Sequence, residues 1–125
     1  MIIAFITKIN YVYFGLILLN LLDYITGIIA SLYKGNKISS KKSIKGIYKK
    51  IGHWLLVLTG IVIDIFTINY LNIELPYNLT LGGCIAVWLS INEIISILEN
   101  YCKISDNKLP NFLRRFIDEN KGEKQ

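Results

Sequence analysis

The sequence predicts an all-α integral membrane protein of three transmembrane helices, with an amphipathic basic connector and a short amphipathic helix near the C-terminus. Hydrophobic residues make up 53% of the chain and charged ones only 18%. That is too little charge to cover the exposed faces of a soluble helical domain. The apolar residues gather in three runs almost free of Lys and Arg, and the basic residues lie between and after those runs. At 125 residues the chain has room for one membrane domain, taken as residues 1–125.

The first span runs from about Ile9 to Tyr33 with Asp23 as its one charge. The second runs from about Trp54 to Ile73 with Asp64, and the third from about Leu79 to Leu98 with Glu93. Each has roughly the twenty residues that cross a bilayer core. Met1 to Thr7 is also apolar and either extends the first helix or lies along the interface. A cleaved signal peptide fits this end poorly: the apolar stretch is too long, only Lys8 resembles a basic flank, and no A-x-A site follows. A central Asp costs about 2.5–3.5 kcal/mol on insertion, while each Leu, Ile, Phe or Val returns roughly 0.3–0.6 kcal/mol. The apolar residues between Leu55 and Ile73 outweigh Asp64 by a small margin, so the acids are tolerated but need a reason.

Orientation follows from the lysines and arginines of the short loops. Lys34, Lys37, Lys41, Lys42, Lys45, Lys49 and Lys50 lie between the first two spans, with no acid among them. Lys103, Lys108, Arg114, Arg115, Lys121 and Lys124 follow the third, whereas the connector around Glu74 and Pro76 has no basic residue. Residues 34–53 are therefore a cytoplasmic basic segment and 103–125 a cytoplasmic tail. The expected topology is N-terminus out and C-terminus in, across a bacterial cytoplasmic membrane. From Ser40, a plausible N-cap, Ile44, Ile47, Tyr48 and Ile51 recur at helical spacing among lysines. That pattern predicts a short amphipathic helix that lays Lys41, Lys42, Lys45, Lys49 and Lys50 on the anionic inner leaflet. The tail repeats it: Pro110 suits a helix start, and Leu109, Phe112, Leu113, Phe116 and Ile117 share a face.

Several function classes drop out. The net charge of +5 could suit nucleic acid, but a binder needs its basic residues on a soluble folded surface, not in connectors between apolar runs. His53 is the only histidine, so catalytic triads and His-cluster metal sites lack their parts, and no enzyme, metal or cofactor is expected. Beside Trp54, His53 reads as an interfacial residue. Cys84 and Cys102 make no disulfide framework; on one continuous helix they lie roughly 27 Å apart, too far to pair within a chain. Asn78-Leu79-Thr80 matches a glycosylation sequon of a length that arises often by chance.

The polar residues inside the spans are more informative. Asn20, Asp23, Gly27, Ala30 and Ser31 recur at helical intervals in the first span; Gly60, Asp64 and Thr67 do so in the second, and Gly83, Ala86, Ser90 and Glu93 in the third. Small residues let helices approach and polar ones hydrogen-bond between them. Gly27, Ala30, Gly60, Gly83 and Ala86 are thus helix-packing candidates. Asp23, Asp64, Thr67, Ser90 and Glu93 either hydrogen-bond between helices or line water in an assembly. A homo-oligomer is expected, because three such stripes are more than one thin three-helix monomer is expected to bury. Asp64, nearest the middle of its span, is the sharpest candidate.

The run Asp23-Tyr24-Ile25-Thr26-Gly27, then Ser39-Ser40 and Lys45-Gly46-Ile47-Tyr48-Lys49-Lys50, resembles the phage lysis and toxin-secretion holins of low-GC Gram-positive bacteria. In that family an Asp-x-x-x-Gly helix precedes a basic Ser/Gly segment. Asp64 matches the family's Val-Asp segment, Asn92-Glu93-Ile94-Ile95-Ser96-Ile97-Leu98-Glu99-Asn100 its E-x-x-S-I-L-E-N end, and Leu109-Pro110 its tail. The resemblance covers about residues 15 to 115. It implies a protein that oligomerises in the cytoplasmic membrane and permeabilises it, releasing an endolysin or, in clostridial relatives, a large toxin. It brings no catalytic residues. The clostridial toxin-secretion members carry a longer N-terminus than this sequence, and both release roles stay open. So do a small ion channel or transporter subunit, and an antiholin that co-assembles with a holin.

Overall fold

A computed structural model describes residues 2–37, 40–76, 79–105 and 111–122. Among these the chain is helical, with no strand: α1 (Ile2–Tyr33), α2 (Ser40–Asn69), α3 (Leu81–Ser105) and α4 (Asn111–Gly122). α1 from Tyr11, α2 and α3 are each long and apolar enough to cross a membrane. α1 begins at Ile2, so the apolar N-terminal stretch continues the first helix.

The basic connector differs from expectation. Residues 40–53 are not a separate surface helix; they form the first half of α2, which continues unbroken to Asn69. No proline interrupts this stretch, and the lone glycines Gly46 and Gly52 each cost only about 1 kcal/mol relative to Ala in a helix. At 1.5 Å per residue α2 is about 45 Å long, some 15 Å more than a bilayer core. The excess falls at the lysine-rich end. The helix that carries the second span ends at Asn69, four residues before Ile73.

α3 is the central element and packs against both α1 and α2. Its buried residues Gly82, Ala86, Leu89, Glu93 and Asn100 recur at three-, four- and seven-residue steps, one face of a helix. Leu16 of α1 and Val57 of α2 meet Ala86 and Leu89 there, flanked by Val12, Tyr13, Trp54, Ile61 and Ile85. The outside is as apolar as the inside: Phe14, Leu21, Leu55, Phe66 and Trp88 are all exposed. Apolar surface on this scale suits lipid rather than water.

The helix ends are built from local chemistry. α1 stops at Gly35, whose φ of 73° is open to glycine at little cost. The Asn36 amide donates to the Ser31 carbonyl and the Gly35 amide to the Leu32 carbonyl, both at 3.0 Å, a Schellman motif. After α2, Asn72 takes a φ of 54° and the Ile73 amide returns to the Thr67 carbonyl at 3.1 Å. Ser40, expected as an N-cap, is the first residue of α2. α4 is the most amphipathic of the helices, burying Ile117 while Arg114, Arg115, Asp118 and Glu119 are exposed. Leu109, Pro110, Asn78 and the side chains of Phe112 and Leu113 lie outside the described residues.

Candidate functional site: two polar layers inside the bundle

Lys50, expected at the membrane surface, turns into the bundle. Its Nζ lies 2.9 Å from Asp23 Oδ2 on α1 and 2.8 Å from Glu93 Oε2 on α3. Continuity of α2 is the reason. Lys50, Val57 and Asp64 are spaced by seven, so an unbroken helix carries all three on its α3-facing side. Lys41, Lys42, Lys45 and Lys49 remain exposed.

The same turn of α2 brings two more partners. His53 Nδ1 lies 3.6 Å from Glu93 Oε1. With its amide oriented to satisfy both neighbours, Asn20 donates to Glu93 Oε2 at 3.3 Å and accepts from Trp54 Nε1 at 3.1 Å. Asn100 of α3 donates to Asp23 Oδ1 at 3.2 Å and to Thr26 Oγ1 at 3.1 Å. Glu93 keeps only 5% of its side-chain surface exposed and Asp23 16%. Charges taken out of water need this density of partners, since a lone buried ion costs several kcal/mol. Replacing a whole cluster of this kind with apolar residues is often neutral, whereas removing one partner is strongly destabilising.

Asp64 does not stand alone at mid-span. With α2 ending at Asn69 and α3 starting at Leu81, Asp64 is level with the N-terminus of α3. Its Oδ1 accepts from the Leu81 amide at 2.7 Å and its Oδ2 from the Gly82 amide at 2.8 Å. Thr80 Oγ1 accepts from the Gly83 amide at 3.3 Å. Side chains thus satisfy three of the four amides a helix start leaves open, and the carboxylate faces the positive end of the α3 dipole. Insertion energetics gave Asp64 a cost; the cap is the compensation.

Glycine makes that approach possible. A Cβ on Gly60 would lie 2.9 Å from both the Cα and the N of Gly82, and a Cβ on Gly82 would lie 2.8 Å from Tyr13 Oη. Gly82, which sequence reasoning passed over for Gly83, is the buried one; a Cβ on Gly83 meets only Thr80 of its own turn, Oγ1 at 2.6 Å. The four-residue step from Gly82 to Ala86 was the available signal. Ala30 and Ala86 are buried. Gly27 faces Asn100 with room to spare, its Cβ position 3.6 Å from Nδ2. The Thr67 and Ser90 hydroxyls donate to their own helices, to Ile63 O at 2.8 Å and Ala86 O at 2.7 Å. α3 thus covers much of each stripe within a single chain: Asn20, Ala30, Gly60, Asp64, Ala86 and Glu93 are buried, while Asp23, Gly27, Ser31, Thr67, Gly83 and Ser90 stay half-buried. α3 lies between the other two helices and satisfies both.

An apolar exterior on three helices long enough to span, with Asp23, Lys50, Asp64 and Glu93 turned inward, defines a multi-pass membrane protein. The chain belongs to the bacteriophage holin family, whose family model matches residues 1–122. This is not a family of enzymes. Two uncharacterized proteins, from Listeria monocytogenes and Listeria innocua, are each 40% identical over 95 residues, or 76% of this chain and 61% of theirs. The chain thus spans less than two thirds of the length of these relatives. No solved structure matches it.

Proposed function

We propose that the protein is a holin. It inserts with its N-terminus out and C-terminus in, assembles into homo-oligomers in the cytoplasmic membrane, and permeabilises it so that an endolysin or a protein toxin can leave. The observation that carries this reading is the storage of Asp23, Lys50 and Glu93 inside a bundle whose outer face is apolar. Such a chain is soluble in lipid as a closed bundle, yet holds polar side chains that can line water once bundles open against one another. One copy encloses no path, since Leu16, Val57, Ala86 and Leu89 fill its interior. A lesion therefore requires several copies.

Induced expression in a bacterium, followed by growth and uptake of a membrane-impermeant dye, tests the reading. Abrupt dye entry after a lag supports it. A slow ion leak without dye entry would instead mark a channel subunit. Delay of another holin's lysis, without any effect alone, would mark an antiholin.

A further inference from the structure

Between the ends of α1 and α3 and the start of α2 lies a cleft of about 450 Å3 that reaches down to Asp23 and Lys50. Three lysines from three helices converge on it, Lys34 following α1, Lys42 from α2 and Lys103 from α3. All three are exposed, and none forms an ion pair with another described residue. Ser31 and Ser43 add hydroxyl donors between them. Lys42 and Ser43 belong to the first turn of α2, so that helix opens its unsatisfied amides and positive dipole end in the same region. Lower on the wall, Tyr24 and Ile28 give an apolar flank. A Cβ on Gly46 would have nothing within 4 Å, so this wall stands open rather than packed.

We propose that this cleft binds the phosphodiester headgroup of one anionic phospholipid from the cytoplasmic leaflet, with the lipid's glycerol and upper acyl chains against Tyr24 and Ile28. Converging cations and hydroxyls recognise phosphate oxygens, and the place where spanning helices emerge from the bilayer favours a lipid over a free anion. The site differs from diffuse attraction of a basic surface. Lys41, Lys45 and Lys49 carry the same charge on the same helix but do not line the cleft. The proposal rests on the C-in orientation given under the proposed function.

The test uses the full-length protein in neutral detergent, titrated with phosphatidylglycerol and observed by native mass spectrometry. One lipid should be retained per chain, with phosphatidylcholine retained far less. The Lys42→Ala/Lys103→Ala variant should weaken retention roughly twenty-five-fold, taking about fivefold per lysine near a headgroup. The Lys41→Ala/Lys49→Ala variant should weaken it less than about twofold, those side chains being screened from the site by water and salt. Gly46→Leu alters no charge and should also evict the lipid by filling the wall; unchanged helical circular dichroism shows each variant folded. Equal losses in the two double variants, or equal retention of both lipids, would overturn the site. So would inorganic phosphate that binds while phosphatidylglycerol does not. Dye entry in cells is scored separately. Lost lipid retention with intact wild-type permeabilisation sinks this site alone, and retention without permeabilisation sinks the holin reading alone.

Discussion

Lys50 decides the fate of two carboxylates. Replacing it with Met takes the ammonium from half-buried Asp23 and buried Glu93, and breaking a fully buried pair costs on the order of 3–5 kcal/mol. Membrane accumulation of Lys50→Met, measured by blot, should fall sharply. Adding Asp23→Asn and Glu93→Gln removes the uncompensated charge and should restore it. If the stored charges line water in the assembled state, this triple variant accumulates yet admits no dye; full dye entry would relieve the cluster of any role beyond register. The acids were legible in the sequence as lone charges in apolar runs. Their partner was not, because the lysine run read as surface, and only helical continuity through residue 53 turns one lysine of that run inward.

At the scale of elements, the contact between α2 and the start of α3 is the most demanding. Gly60→Ala would drive a methyl group against the Gly82 backbone, and overpacking of this kind costs roughly 1–3 kcal/mol. Gly27→Ala meets only an ordinary contact and should be near neutral, so thermal aggregation in detergent should separate the two variants. Asp64→Leu strands two amides at about 1–3 kcal/mol each and should lower the midpoint further, with Asp64→Asn in between. A midpoint equal to wild type for Asp64→Leu would show that the cap is not needed. The existence of three spans was legible, since hydropathy over twenty residues is a strong signal. Their ends were not: hydropathy marks where lipid is tolerated, whereas capping chemistry stopped α1 at Gly35 and started α3 beside Asp64.

For the whole molecule, two expectations remain physical consequences of charge and filling. The lysines after α1, those in the first half of α2 and the basic residues after α3 resist translocation, so a C-terminal reporter active only outside the cytoplasm should stay silent. Activity of that reporter would reverse the topology. Crosslinking in membranes at rising expression should give a ladder of species, because the filled interior of one copy leaves no path. A band that stays monomeric at every level, in cells that still take up dye, would refute assembly as the route to permeability. The stripes could not predict this, since whether small and polar faces meet within a chain or between chains depends on the order of packing around α3.

α2 also has a mechanical side. It is a stiff rod, pinned to α3 at Lys50 through Glu93 and again at Asp64, about 21 Å further along at 1.5 Å per residue. A rod held at two heights resists tilting. Pivoting by about 10° around one pin swings the other by nearly 4 Å, beyond the reach of a 2.8 Å bond. If the chain opens as the proposed holin, loss of one fastening would strain the other, a coupling set by the spacing of two residues on a single helix.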